Sequence, residues 1–316
     1  MKRRTFVKKS FAWSAALSTL PGIIQAIDES KKTLQLPRRK LGQTGEMLSI
    51  IGFGGILVRD ETPENAANLV ASAVNSGVNY FDVAPSYGNA EERLGPALAP
   101  YRQQCFLACK TQQRDRAGAE KELHESLTRL QTDHFDLYQL HALSKVEDVE
   151  QAFGPDGAME VFLKAKQAGK VRFLGFSAHS EAAALLAMEK FDFDTILFPI
   201  NFVCWHQGNF GPKVVAQAQS KKMGILALKA LAFTRVPQAE EKPYKKLWYK
   251  PIEVAETAQL ALRFTLMQGT TAAIPPGDAK FWGTALEIAR NYTELATSET
   301  EQLKKISTGV APIFKV

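Results

Sequence analysis

Short apolar runs recur along the chain at 50–55, 78–84, 105–110, 135–141, 171–177, 194–201, 224–231 and 271–275. Each is apolar on both faces, the pattern of strands in a parallel sheet covered by helices. Between them, apolar residues at three-to-four spacing predict helices over 63–76, 120–130, 159–168, 181–190, 212–222, 254–267 and 281–290. The first helix carries its own punctuation, with Thr62 as N-cap, Pro63 in the first turn and Gly77 past the last. Eight strands alternating with helices predict a single (β/α)8 TIM barrel. A doubly wound sheet would carry a G-x-G-x-x-G turn after its first strand, but Gly52, Gly54 and Gly55 lack that spacing and no Walker-type loop occurs. These glycines fit either a tight turn or close backbone approach to a ligand.

The periodic region starts near Leu41, after a charged, aperiodic linker at 27–40, and Gly42 and Gly45 mark a hairpin turn before the first barrel strand. Residues 1–26 read as a signal peptide: a basic start, an apolar stretch too short and too polar to span a membrane, and a small residue at Ala26. Arg3, Arg4, Thr5, Phe6, Val7 and Lys8 resemble a twin-arginine export signal. That resemblance implies the twin-arginine machinery as partner and an exported, periplasmic protein, cytoplasmic if the signal is not used.

Composition adds little beyond an ordinary globular domain, with 45% hydrophobic and 23% charged residues. The net charge of +6 hints at nucleic acid, yet Lys2, Arg3, Arg4, Lys8 and Lys9 supply five of those charges, and 6 − 5 leaves +1 for the body. A body so near neutral, without a basic stripe, has no footprint for phosphate backbones. Cys105, Cys109 and Cys204 lack the spacing of a zinc or iron–sulfur site, so no metal is expected and buried thiols are.

Polar residues then fall where a barrel places chemistry, at the C-terminal ends of strands: Asp82, Lys110, His141, Ser177 and Asn201, with Lys229 late in the seventh. Tyr87 follows Asp82 on the same loop. A phenol is a poor proton donor at neutral pH, and a neighbouring ammonium lowers its pKa by favouring phenolate. Lys110 suits that part, Asp82 would keep Lys110 charged, and His141 would orient or polarise a substrate oxygen. The set suits carbonyl reduction.

The stretch GVNYFDVAPSYG at 77–88 resembles the signature of the aldo/keto reductase family, with LACK ending at Lys110, DLYQLH ending at His141, GKVRFLGFS ending at Ser177 and RKLGQTGEMLSIIGFGG at the start. The resemblance spans nearly everything after the linker. It implies a catalytic tetrad of Asp82, Tyr87, Lys110 and His141, and NADP or NAD extended across the barrel mouth. Gly55, Ser177, Asn201, Leu228, Lys229, Leu231, Pro276, Gly277 and Trp282 would hold the cofactor, with Ser177 and Asn201 on the carboxamide. Hydride would pass from the nicotinamide as Tyr87 protonates the carbonyl oxygen of an aldehyde or ketone, or the reverse.

The chain also departs from the family pattern. Ala178 and His179 follow Ser177, Asn201 stands where Gln is frequent, and Leu228 replaces a frequent aromatic. Lys229 within ILALKAL is expected to reach a cofactor phosphate. The Lys-Ser pair and later Arg that grip the 2′-phosphate of NADP give way to Pro276, Gly277, Asp278 and Trp282, so the preference for NADP over NAD should weaken, with Trp282 stacking on adenine. His179 and His206 are candidates to line the substrate mouth. Two other classes fit the same residues: a cofactor-binding sensor or regulatory subunit with little turnover, and a Schiff-base aldolase using Lys110 or Lys229.

Overall fold

The computed structural model describes residues 36–237, 240–242 and 244–316, so the predicted signal peptide and residues 27–35 lie outside the described residues. A hairpin of β1 (Arg38–Lys40) and β2 (Met47–Ser49) precedes β3 (Phe53–Gly54), α1 (Pro63–Asn75), β4 (Tyr80–Asp82) and α2 (Ala90–Leu98). Then come β5 (Phe106–Thr111), α3 (Arg116–Arg129), β6 (Phe135–Leu143), α4 (Val146–Phe153), α5 (Ala158–Gln167), β7 (Val171–Ala178) and α6 (Glu181–Lys190). The chain continues through β8 (Thr195–Pro199), α7 (Phe202–Gln207), α8 (Pro212–Ser220), β9 (Gly224–Leu228) and a second hairpin, β10 (Ala232–Arg235) with β11 (Tyr249–Pro251). It ends with α9 (Ala255–Met267), β12 (Ala272–Ile274), α10 (Ala279–Arg290) and α11 (Thr297–Ser307).

The strands β3 to β9 and β12 form one eight-stranded parallel sheet in sequence order. A single parallel bridge, Ile51 to Ala273, brings its first and last members together, with Gly52 N donating to Ala273 O at 3.0 Å and Ala273 N to Ile50 O at 2.9 Å. The sheet is thus a nearly closed (β/α)8 barrel. Because side chains alternate in and out along each strand, one set fills the interior: Tyr80, Phe106, Ala108, Leu137, Leu197, Leu226 and Ala272. The outward set packs beneath the helices. Leu41 and Leu48 of the first hairpin join the interior cluster, and Gly42, at φ +51°, has no room for a Cβ against the backbone of Gly224. The hairpin therefore plugs the end of the barrel where the strands begin, and the chemistry is left to the opposite mouth.

Each of the eight apolar runs overlaps one barrel strand, and helix α1 is capped as its sequence dictates, Thr62 Oγ1 accepting from Asn65 N at 3.1 Å. The fold starts earlier than the sequence pattern implies. Arg38–Lys40, expected as linker, pairs antiparallel with Met47–Ser49, because the flanking Leu36 and Leu41 are both buried. Helices α2, α4, α7 and α11 were not foreseen. In α2, Gly95 and Pro96 read as breakers, yet packing holds the helix: Gly95 lies so close to the backbone of Arg129 and Leu130 that only glycine fits. All three cysteines are buried and unpaired.

Candidate active site

Strands β4, β5 and β6 deliver Asp82, Lys110 and His141 to one mouth of the barrel, and the loop after β4 brings Tyr87 back over them. The Lys110 ammonium is buried, pairs with Oδ1 of Asp82, donates to the carbonyl of Val83 at 3.1 Å and reaches the Tyr87 hydroxyl at 3.4 Å. The other carboxylate oxygen, Oδ2, accepts from Tyr80 Oη at 3.3 Å and from Gln139 Nε2 at 3.2 Å. Tyr80 and Gln139 each sit two residues before a tetrad member on the same strand, so the two-residue period points them the same way. That alternation is the signal by which they could have been found from sequence.

Electrostatics follow from burial. Burial pulls the Lys110 ammonium down, but Asp82 and Tyr87 beside it pull harder, and its pKa ends above the usual lysine value. Tyr87 runs opposite to the sequence expectation: burial raises it more than the Lys110 charge lowers it, and the net direction is up. The phenol is accordingly protonated at neutral pH, the state a proton donor needs, while Lys110 waits beside the oxygen that would become negative. His141 is held neutral, its pKa lowered to about 2 by burial and by the charges of Lys110, His179, Arg114 and Lys229.

His141 owes its placement to an irregularity. The β6–β7 register runs Leu140 to Phe176, then Leu143 to Ala178, so β6 carries one extra residue there. Ala142 takes φ +55°, a left-handed conformation rare outside glycine, and its N–H donates to Ser177 Oγ at 2.7 Å. Such a bulge re-aims the neighbouring side chain. The His141 ring stands edge-on to Tyr87, centroids 5.7 Å apart at 84°, with Nδ1 3.4 Å from Ser86 Oγ, and Arg114 donates to the His141 carbonyl at 2.7 Å.

The adjoining cavity is lined by Asp82, Tyr87, Gly54, Leu228, Lys229, Ile274, Pro276 and Gly277, with Lys246, Trp248 and Tyr249 from the β10–β11 hairpin closing it. The hairpin residues carry no motif and were missed. Gly277 is required by space, since a Cβ there would collide with Ile56, and one on Gly55 would press on Val83 and the Asp82 carbonyl. Leu231 is buried and accepts from Ile252 N at 2.9 Å, tying β9 to the hairpin and away from the cavity wall. Ser177 keeps its hydroxyl hydrogen after accepting from Ala142.

Two residues expected at the cofactor are engaged elsewhere in this structure. Every hydrogen-bonding position of Asn201 is occupied: Oδ1 accepts from Val203 N at 2.9 Å and Cys204 N at 3.0 Å, and Nδ2 donates to Lys229 O at 3.0 Å and to Ala232 O. It caps α7 and ties down the turn after β9, leaving nothing for a carboxamide. Trp282 is 5% exposed and packs against Phe53 with ring centres 5.3 Å apart at 75°, so it stands among core residues in this structure. Lys229 also departs from expectation: its Nζ lies over the rings of Trp248 and Tyr249, at 5.5 and 5.0 Å from their centres. Of the other histidines, His179 lies near the mouth and stacks on Phe314 at 5.1 Å, whereas His206 packs on Phe264.

The family model for aldo/keto reductases matches residues 50–307, from the first barrel strand through the last helix. The chain belongs to the aldo/keto reductase family. Among aldo/keto reductases and related proteins, it is 34% identical over 155 residues to the uncharacterized oxidoreductase YqkF of Bacillus subtilis, a match covering 45% of this chain and 48% of that protein. It is 32% identical over 155 residues to L-galactose dehydrogenase of Arabidopsis thaliana, covering 44% and 47%. The matches thus span about half the length of these curated relatives. The fold is also that of aldo-keto reductase AKR11C1 from Bacillus halodurans, holo form, at TM-score 0.69 and 21% identity over 88% of this chain and 99% of that one. Bombyx mori aldo-keto reductase AKR2E4, solved in complex with NADP, superposes at TM-score 0.64 and 21% identity, covering 88% and 96%.

Proposed function

We propose that this aldo/keto reductase reduces an aldehyde or ketone to an alcohol, or catalyses the reverse, with NADPH or NADH. The observation that carries the reading is the Lys110 ammonium standing between the Asp82 carboxylate and the Tyr87 hydroxyl at the open barrel mouth. The cavity wall suits the nicotinamide end of a dinucleotide: glycines at 54 and 277 remove side-chain bulk, Leu228, Ile274 and Pro276 offer apolar surface, and Ser177 at the end of β7 has a donor to give. The bound nicotinamide supplies or takes the hydride. Tyr87 then gives its proton to the carbonyl oxygen, Lys110 stabilises the phenolate left behind, Asp82 keeps Lys110 charged, and neutral His141 holds the oxygen in place.

Turnover of NADPH with a panel of aldehydes and ketones tests this, with Tyr87→Phe expected to lower kcat by about 10²- to 10⁴-fold. Undiminished turnover in the variant overturns the mechanism. Cofactor binding with no turnover on any carbonyl would instead indicate the regulatory role.

Comparable dissociation constants for NADPH and NADH are expected. Asp278 places a carboxylate at the start of α10, capping Lys280 N at 3.0 Å, where a 2′-phosphate would need cations. The Lys280 ammonium is drawn to Tyr244, at 3.4 Å. The pattern from Arg3 to Lys8 supports export to the periplasm through the twin-arginine machinery. Fractionation of cells expressing the chain with both arginines changed to lysine tests that, and unchanged export would reject it.

A further inference from the structure

Three cations around the mouth, Lys110, Lys246 and Arg114, each meet an acceptor, although Nε and Nη1 of Arg114 have no hydrogen-bond partner. Lys110 faces Asp82; Lys246 donates to Glu61 and to the Leu57 carbonyl, both at 2.8 Å; Arg114 donates to His141 O. Among the described residues, the Lys229 ammonium has neither a carboxylate nor a hydrogen-bond acceptor; it rests on the rings of Trp248 and Tyr249. Its backbone is left-handed, φ +67°, a strain that a bulky residue keeps only where the surroundings impose it. Asn201 is what imposes it here, gripping the Lys229 carbonyl. The result is a side chain turned into the cavity it shares with Asp82 and Tyr87.

Asp82 and Lys110 cancel each other's charge, so Lys229 gives the cavity one positive charge with no counter-ion. An unpaired ammonium at this half-buried position is free to meet an anion that enters the cavity. Its position says which anion. It lines the cavity together with Asp82 and Tyr87, at the reacting end.

Resting on the carbonyl-reductase reading above, we propose that Lys229 receives a carboxylate borne by the carbonyl substrate, making oxo acids and aldehyde acids the preferred class. The carbonyl oxygen sits at Tyr87 and His141, and the carboxylate points across the cavity toward Trp248 and Tyr249. The carbonyl gains a hydride from the cofactor and a proton from Tyr87 and becomes a hydroxy acid; the carboxylate is unchanged. Leu197, Leu228 and Ile274 make that part of the wall apolar, and Lys246, the other cation lining the cavity, is already paired with Glu61.

The test compares kcat/KM for glyoxylate, pyruvate and succinic semialdehyde with that for acetaldehyde, acetone and butanal. The wild type should favour the acids. Lys229→Met should lower the acid-to-neutral ratio about 10- to 100-fold, the range expected for losing a hydrogen bond to a charged group, while Lys229→Arg keeps most of it. If Lys229→Met instead weakens NADPH and NADH binding and slows every carbonyl alike, the cation serves the cofactor diphosphate and the proposal falls. Equal treatment of acids and neutral carbonyls by the wild type also overturns it. Should the wild type reduce no carbonyl, the reductase reading itself has failed, and quenching of tryptophan fluorescence by succinate in the presence of NADPH decides the anion site alone. Saturable binding lost in Lys229→Met supports the site; no binding rejects it.

Discussion

Gln139 donates from Nε2 to Oδ2 of Asp82 at 3.2 Å, so an uncharged strand residue anchors the carboxylate on which the tetrad turns. With Oδ2 held by Gln139 and Tyr80, Oδ1 stays directed at Lys110. Gln139→Leu should therefore lower kcat by about five- to tenfold, the worth of one such hydrogen bond, with the KM for carbonyl little changed. A fall in KM affinity with kcat intact would show that Gln139 shapes the substrate pocket instead.

Since burial raises the Tyr87 phenol, the reduction of an uncharged carbonyl should keep a level kcat from neutral pH up to about 10 and decline only above it. Lys110→Met should push that limb higher still, by removing the one group that pulls Tyr87 down, and slow the reaction at pH 7. A basic limb near pH 8 in the wild type would show that the Lys110 charge outweighs burial.

His141 and His179 are half-buried and neutral, their pKa values lowered to about 2 and about 4 from 6.5, with loss of water contact the main cause in both. The unfolded chain takes up these two protons below pH 6.5 and the folded one does not. Stability present above pH 6.5 is then lost as pH falls through that window, by about 2 kcal/mol per histidine at pH 5. Urea midpoints at pH 7 and pH 5 measure it, and His179→Gln should flatten the difference. A midpoint that holds steady between the two would contradict the burial argument.

Asn201→Leu should destabilise the fold by about 2 kcal/mol, since it strips a helix cap and takes a donor from the carbonyls of Lys229 and Ala232, the first of which keeps the Ala232 amide. Thermal or urea unfolding reads this directly. If Asn201→Leu left stability intact but weakened NADPH binding, the carboxamide role expected from sequence would be restored.

These residues mark where sequence stops being readable. Strands such as Phe135–Leu143 and Val171–Ala178 announce themselves because both faces are apolar, and α1 because Thr62, Pro63 and Gly77 bracket it. Asp82, Lys110 and His141 were legible as polar endings on apolar runs, whereas Tyr87, on the loop after β4, was singled out by the family resemblance. Side-chain partners were not legible: Asn201 and Trp282 lie where cofactor contacts belong, yet one is saturated by backbone groups and the other packs against Phe53. The β10–β11 hairpin escaped because only its few paired residues are strand-like and a polar loop separates them. The bulge at Ala142 escaped for the same reason, being a matter of register between two strands.

The bridge between Ile51 and Ala273 makes the cylinder a rolled ribbon with a short zip, fastened by a two-residue strand on one side and a three-residue strand on the other. Breathing should be easiest along that line, and the amides of Gly52 and Ala273 should exchange with solvent before those of β5 and β6. Gly54, Ile274 and Gly277 border the same line. Loosening at that seam would leave the strands carrying Asp82, Lys110 and His141, farther round the circumference, at their spacing.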